Sequence, residues 1–373
     1  MRIAVVNSKF ASPHLGGGVT SLLTLLEGLN DERRISVDAF QTPPVADIDV
    51  SFIYNVYSQE LPSVPVFYWI EQGVGFRYWK NFVMSNIDDE YDLFIGQGTL
   101  GLASIEAADI HDTPSVLFIR SLISTGYYQY HPRKSHLSNL LRADIGGKLQ
   151  YLFVLQNHRR YRRAVEDADV VVANSEFTAS KIEELYDVDP EIIYPPINIS
   201  DYEVEYDPDG YITIVNPRDK NKGGDIFLDI AEEIPEEKFL IVGEVPKNLL
   251  SRVQELDNVT YEEWCDDMRE VYGQSKMVVA PTRVVETFGR VPAEAMVSGI
   301  PCVVSNRGGL PYVVGDTGYV VENVESVDEW VDKIRDAEED DMHEQRKERV
   351  RQKFSTEEQV RRFSRIVEEL QNG

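Results

Sequence analysis

Cysteine is scarce: the 373 residues hold two, Cys265 and Cys302. Two isolated cysteines make neither a disulfide scaffold nor a metal site. Cys302, inside the apolar run IPCVVS, reads as a small buried hydrophobe. Positive charge is scarce too. Against 64 acidic residues stand 37 basic ones, a net charge of -27. Such a chain repels nucleic acid at long range, which argues against a DNA or RNA partner. Only 13 of the basic residues are lysine and 24 are arginine. Abundant Asp and Glu with little Lys suits concentrated salt, where screening makes self-repulsion cheap. An ordinary acidic cytosolic protein is the alternative. Long apolar runs are absent as well, and none reaches the length of a membrane span. MRIAVV at residues 1–6 is too short for a signal-peptide core. The expectation is a cytoplasmic protein.

What is present is enough apolar residue, 42%, for two cores, and 373 residues are the length of about two domains. Short apolar runs alternate with helical patterns. RIAVVN (2–7), VSFIY (50–54), VPVFYW (64–69), DLFIGQ (92–97), SVLFIR (115–120), VVVANS (170–175) and EIIYP (191–195) read as strands. The alternation predicts a doubly wound α/β domain over 1–200 with a mostly parallel sheet. The acidic stretch DYEVEYDPD reads as a linker, 201–210. The alternation then restarts with YITIVN, KFLIVGE, KMVVAP and IPCVVSN as strands and DIFLDIAEEI as a helix, predicting a second such domain over 211–352. Residues 336–351 are charge-rich and read as a solvated helix. Residues 353–373 carry Val360, Phe363, Ile366, Val367 and Leu370 near helical spacing, an amphipathic helix able to pack back on the first domain. Two such domains would face a cleft, and ligands bind beyond the carboxyl ends of the strands.

The stretch VVETFGRVPAEAMVSGIPCVVSNRGGL, 284–310, carries the chemistry. It follows the strand KMVVAP. A helix is expected to start near Gly289–Pro292, since Pro suits a first helical turn. The unpaired N–H groups and dipole of a helix start attract an anion such as a diphosphate, and Gly289 allows close approach. Glu286 precedes that point and Glu294 follows it. Carboxylates only accept hydrogen bonds, and sugar hydroxyls donate them. A diphosphate with sugars on both sides, a nucleotide sugar, fits this layout. Either glutamate alone reads more simply as an acid near a helix start; the combination with Gly299-Ile300-Pro301 is far more specific. Arg218 and Lys222 lie in a glycine-containing loop after YITIVN, where fixed cations would stabilise a leaving diphosphate. The alternative there is a pair of surface charges. HLGGGV at 14–19 either cradles phosphate or turns the chain.

This stretch closely resembles the E-x7-E signature of retaining family 4 glycosyltransferases, which have the two-domain GT-B fold. VVNPRDKNKGGD is similar to that family's Arg…Lys-Gly loop, FLIVGE to its central strand and glycine turn, and HLGGGVTSLLTLLEGL to its N-terminal glycine loop and helix. DADVVVANSEFTASKI and IIYPPIN resemble the close of its N-terminal domain. The low-Lys acidic composition resembles that of haloarchaeal proteins. The resemblance implies that Glu286 holds hydroxyls of the transferred sugar and Glu294 the ribose. It implies that backbone N–H groups of Phe288, Gly289 and Arg290 meet the phosphates, that Arg218 and Lys222 neutralise them, and that Gly243, Gly16 and Gly17 line the donor site. It implies a metal-independent hexosyltransferase that uses a nucleoside-diphosphate sugar as substrate, needs no cofactor, and transfers to a sugar or lipid-linked acceptor hydroxyl in glycan assembly. A GT-B epimerase or phosphorylase and a non-catalytic relative are the alternatives.

Two places depart from the pattern or add to it. Family members often carry a histidine just after the strand that here reads SVLFIRS; this chain has Arg120, which accepts no proton. Arg120 is an acceptor-side candidate with His14, and a structural arginine is the alternative. Arg159, Arg160, Arg162 and Arg163, with Arg133, Lys134, Arg142 and Lys148 nearby, form the one basic region. It reads either as contact with an anionic lipid at the inner membrane face or as a salt-bridged helix surface.

Overall fold

The computed structural model describes residues 1–8, 10, 17–45, 50–61, 68–88, 90–125 and 145–372. The chain forms two compact units, Met1–Tyr194 with Val360–Gly373, and Pro195–Gln359. His14, Gly16, Arg133, Lys134 and Arg142 lie outside the described residues.

The first unit holds a parallel sheet. Its strands are β1 (Arg2–Val6), β2 (Ser36–Gln41), β3 (Ile53–Ser58), β4 (Leu93–Gln97), β5 (Ser115–Ile119), β6 (Val170–Ala173) and β7 (Glu191–Ile192). Their order is β3-β2-β1-β4-β5-β6-β7. Central strands such as LFIGQ and SVLFI are buried throughout, as strands covered on both faces must be. One face packs Phe40, Trp79, Phe94 and Tyr161. The other packs Leu22, Leu26, Ile95 and Phe118 against Val360, Phe363, Ile366 and Val367. Those last four belong to the C-terminal helix Thr356–Asn372, so this helix does complete the core of the first unit. Full burial of each such side chain contributes about 1.5–3 kcal/mol. Gly28 in the helix Gly17–Glu32 lies against Val360, where a Cβ would overlap the valine methyls.

The second unit repeats the plan with β8 (Tyr211–Val215), β9 (Phe239–Val242), β10 (Val259–Glu262), β11 (Ser275–Ala280), β12 (Cys302–Ser305) and β13 (Tyr319–Val321). All are parallel, in the order β10-β9-β8-β11-β12-β13. In each sheet the strand order reverses once, between β1 and β4 and between β8 and β11. The crevice beyond the carboxyl ends of such a strand pair is where doubly wound sheets hold ligands.

Several expectations need correction. The run VPVFYW is no strand at its end: Tyr68 and Trp69 open the helix Tyr68–Asn86, and residues 64–67 lie outside the described residues. Phe76, Trp79 and Val83 continue the run at helical spacing and are buried, which decides the matter. The strand expected at 50–54 is Ile53–Ser58, and EIIYP contributes only Glu191–Ile192. Residues 336–351 are not one solvated helix. Helices Val327–Glu338 and His343–Lys353 flank a break, and Arg346 is fully buried, paired with Asp340 and donating to the Thr317 carbonyl.

Candidate active site

The loops after β8 and β11, the two strands at the switch point of the second sheet, carry the residues singled out in the sequence. The first loop is shaped by local chemistry. Asn216 takes a positive φ of 52° beyond β8 and packs on Gly243, itself at φ 94° beyond β9. Asp219 caps a short turn, Lys220–Lys222, by accepting from the Asn221 N–H at 2.8 Å. Gly223 then turns the chain at φ 73°. Its Cα lies so near the end of β11 that a Cβ would overlap the Pro281 carbonyl oxygen. No other residue fits that approach.

The second loop is held from two sides. Arg283 donates to the Lys220 carbonyl at 2.8 Å and pairs with Asp225 at 2.7 Å and Glu325 at 2.6 Å. Its own N–H donates to the Asn221 carbonyl at 2.7 Å. Hydrogen bonds donated to Glu325 and then to Asp225 raise the Arg283 pKa. Burial acts to raise the Asp225 carboxyl, and Arg283 more than offsets this, leaving it below its ordinary value. On the other side, the Gly309 N–H donates to the Glu286 carbonyl at 2.7 Å, and Gly308 pairs with Glu286 in a parallel bridge. A Cβ on Gly308 would overlap that same carbonyl. The Gly-Gly pair closing the motif is therefore the seat of the Glu286 backbone.

These supports bring Lys222 and Glu286, 64 residues apart in sequence, into an ion pair between Nζ and Oε1. Both side chains remain accessible, at 34% and 27% exposure. Arg218 stands in the same loop, 60% exposed, with Asp219 as a distant partner at 4.0 Å. The N–H groups of Gly289 and Arg290 have no acceptor among the described residues, whereas the Phe288 ring is buried against Phe354, centroids 5.3 Å apart.

Glu294 is different in kind. It is 7% exposed in the helix Arg290–Met296, and both oxygens have donors: Arg290 Nε at 3.0 Å and the Tyr272 hydroxyl at 3.0 Å. Burial, then the Glu294 charge, pushes the Tyr272 phenol well above its ordinary pKa. Each carboxylate oxygen retains a second lone pair for a ligand hydroxyl. Sequence reading missed Arg283, Tyr272 and Asn216. Arg283 lies immediately before the motif segment, where a lone arginine carries no signal; Tyr272 lies in another helix, 22 residues before Glu294.

In the first unit, Gly17 is exposed at the start of the helix Gly17–Glu32. Arg120 follows β5, with its guanidinium over the Phe118 ring at 4.9 Å. A Cβ on Gly18 would approach Arg120 Cδ at 3.4 Å and Gln97 Nε2 at 3.2 Å, so Gly18, Gln97 and Arg120 gather at the carboxyl ends of β4 and β5. In the basic helix Ile145–Asp167, Arg160 stacks on Phe76 at 4.4 Å, and Arg162 donates to the Leu185 carbonyl at 2.9 Å and pairs with Glu166. Arg159 and Arg163 are exposed. No helix of the described residues is long and apolar enough to cross a membrane.

Residues 15–201 match the family model described as Glycosyltransferase Family 4, and residues 211–340 match the one described as Glycosyl transferases group 1. D-inositol 3-phosphate glycosyltransferase of Mycobacterium sp. (strain KMS) is 27% identical over 201 residues, 46% of this chain and 45% of that protein. The chain thus spans about half the length of that relative. Among solved structures, sucrose-phosphate synthase from Thermosynechococcus elongatus matches with a TM-score of 0.73 at 19% identity, over 99% of this chain and 98% of that one. Anabaena HepE in complex with UDP and glucose matches with a TM-score of 0.64 at 17% identity, over 98% and 99%. These likenesses are of fold, the two doubly wound parallel sheets of the GT-B class. With half of its length matched by one family model and most of the second unit by the other, this chain belongs to glycosyltransferase family 4.

Proposed function

We propose that the protein is a retaining glycosyltransferase that moves a sugar, of hexose type, from a nucleoside-diphosphate sugar to an acceptor hydroxyl. The observation that carries this is the meeting of Lys222 and Glu286 at the switch point of the second sheet. A cation for a diphosphate and a carboxylate for sugar hydroxyls stand side by side, as one ligand bearing both groups requires. The UDP and glucose bound by HepE support a donor of that class.

In the reaction, the acceptor oxygen bonds to the anomeric carbon on the face from which the diphosphate leaves. The bond from that carbon to the diphosphate oxygen breaks with its electron pair, and the same oxygen takes the acceptor's proton. Lys222 and Arg218 stabilise the charge that develops there. Lys222 has three donors, so it can hold Glu286 and a phosphate oxygen together. Glu286 accepts from the sugar hydroxyls, Glu294 accepts from the ribose, and the N–H groups of Phe288, Gly289 and Arg290 donate to the phosphates. Gly243, Gly16 and Gly17 are the glycine candidates for donor binding. The fixed cations make a divalent ion unnecessary. His14 and Arg120 are the acceptor-side candidates, and Arg120 suits an anionic acceptor. A lipid-linked acceptor in glycan assembly at the inner membrane face fits Arg159, Arg162 and Arg163, the exposed arginines of the basic helix.

A thermal-shift panel of UDP, GDP, ADP and TDP in concentrated KCl, each with and without its sugar, tests this reading. A ligand at a hundred times its Kd stabilises the native state by about 2.7 kcal/mol. A shift with one diphosphate, followed by slow hydrolysis of its sugar donor, identifies the donor. No shift with any of the four overturns the proposal.

A further inference from the structure

The chain passes between its units twice, at Tyr194/Pro195 and at Gln359/Val360. Within the second unit, the segment after the first passage and the segment before the second are joined as neighbours. The Ile197 N–H donates to the Phe354 carbonyl at 2.8 Å, and the Thr356 N–H donates to the Ile197 carbonyl at 3.0 Å. Both segments are fastened to the donor stretch. Arg290 Nη1 donates to the Pro196 carbonyl at 3.4 Å and Nη2 to the Tyr202 hydroxyl at 3.3 Å. Ser298 donates to the Tyr202 carbonyl at 2.9 Å and accepts from the Val204 N–H at 2.8 Å. Phe288 packs edge-on against Phe354. Gly299 lets the helix His343–Lys353, which leads to Phe354, lie directly on it: a Cβ there would stand 2.8 Å from the His343 carbonyl oxygen.

Arg290 holds the central place. Its Nε orients Glu294, and the rest of its guanidinium grips the first passage. A planar fork spanning three acceptors transmits a change at one to the others, which a lysine in that place would not do. We infer that Arg290 is a positioning residue that couples occupancy of the donor site to both chain passages, with Phe288 carrying the same coupling to the second. This rests on the donor-site reading above. A ligand that draws Glu294 and the 286–290 loop into one arrangement orders Arg290, and through it residues 196–204 and 354–356.

Hydrogen–deuterium exchange in concentrated KCl tests this on the full chain, with UDP, GDP, ADP and TDP in turn. In the wild type, the diphosphate that binds slows exchange in the 283–290 loop. It also slows exchange at 197–204 and 354–356, by about tenfold if local opening is suppressed there. Arg290→Ala keeps its backbone N–H but frees Glu294, so weaker binding is expected; with the diphosphate raised until the 283–290 loop is protected as in the wild type, the response at 197–204 is lost. Tyr202→Phe, which removes one hydroxyl and keeps the ring, diminishes that response without unfolding the site. A role for Arg290 that is merely structural would raise exchange equally with and without ligand. Loop protection with unchanged passages in the wild type overturns the coupling and leaves the donor reading standing. An undiminished response at 197–204 in both variants removes Arg290 from it. Absence of loop protection with all four diphosphates overturns the donor reading and the coupling with it.

Discussion

Gly223 and Pro281 lie in contact so close that only a residue without a Cβ fits at 223. The contact joins the loop after β8 to the end of β11, and it sets Lys222 beside Glu286. Gly223→Ala would add two penalties: a left-handed backbone for a residue with a Cβ, about 1–2 kcal/mol, and overlap with the Pro281 carbonyl. The expected loss is about 2–3 kcal/mol in denaturant unfolding, together with loss of the thermal shift given by the diphosphate. Gly98 offers the control. It has φ 71° but open space around it, so Gly98→Ala should cost about 1 kcal/mol only and leave the diphosphate shift intact. Equal effects at the two glycines would refute the contact as the cause.

Lys222 and Glu286 should act as a unit. Each is partly exposed, so Lys222→Ala and Glu286→Ala are expected to fold with melting temperatures near wild type. Lys222→Ala should lower kcat by about 10²–10³-fold, the loss typical of one transition-state charge contact, and weaken binding of the diphosphate. Glu286→Ala should reduce transfer at least as severely, to a small residual rate, while diphosphate binding persists. Groups in contact are not additive, so the double variant should lose less than the product of the two single losses. Turnover in EDTA should equal turnover with Mg2+, since Arg218 and Lys222 supply the positive charge. Strictly multiplicative losses, or a full requirement for Mg2+, would sink the assignment.

The motif around Glu286 was legible because its physical demands are local. A strand, a glycine turn, a helix start and two carboxylates lie within 25 residues, and each residue type has one reason to be there. The central strands of both sheets were legible as continuous apolar runs, which burial on both faces imposes. β2 and β10 were not, because they are half polar: SVDAFQ buries Asp38 through its partners Arg2, Tyr91 and Asn55. Tyr68 and Trp69 misled because aromatics serve strands and helices alike, and the deciding residues, Phe76, Trp79 and Val83, come a turn or more later. The Arg290 bonds to Pro196 and Tyr202 span about 90 residues. No pattern in one sequence announces such pairs.

Arg346 and Asp340, six residues apart, form a buried pair that carries a pH dependence. Burial acts to raise the Asp340 carboxyl, while hydrogen bonds from Arg346 and Tyr319 outweigh it and hold the folded value below the ordinary one. A group lowered on folding contributes stability that is present above its unfolded pKa and lost as pH falls through the folded one. Asp225 beside Arg283 has the same sign. The second unit should therefore lose stability progressively below about pH 4. Asp340→Asn should flatten part of that loss. Arg346→Met, which strands Asp340 without its counter-charge, should cost about 3–5 kcal/mol near neutral pH. An acid limb identical in Asp340→Asn and wild type would exclude Asp340 as a source.

Salt should act in the opposite direction from its usual effect on a protein rich in ion pairs. Several described pairs are exposed, such as Arg33 with Glu368, and exposed pairs contribute about 0–1 kcal/mol each. Screening them costs little. The net charge of -27 is the larger quantity, and its self-repulsion extends over many residues. The Debye length falls from about 10 Å at 0.1 M to about 3 Å at 1 M, so most of that repulsion disappears over this range while buried pairs such as Arg346 with Asp340 are little affected. The melting temperature should rise steadily as KCl goes from about 0.1 M to above 1 M. Charge-neutralising variants that replace exposed glutamates with glutamine should reduce the slope in proportion to the charge removed. A flat melting curve, or a slope indifferent to that charge, would leave the acidic composition without a role in stability.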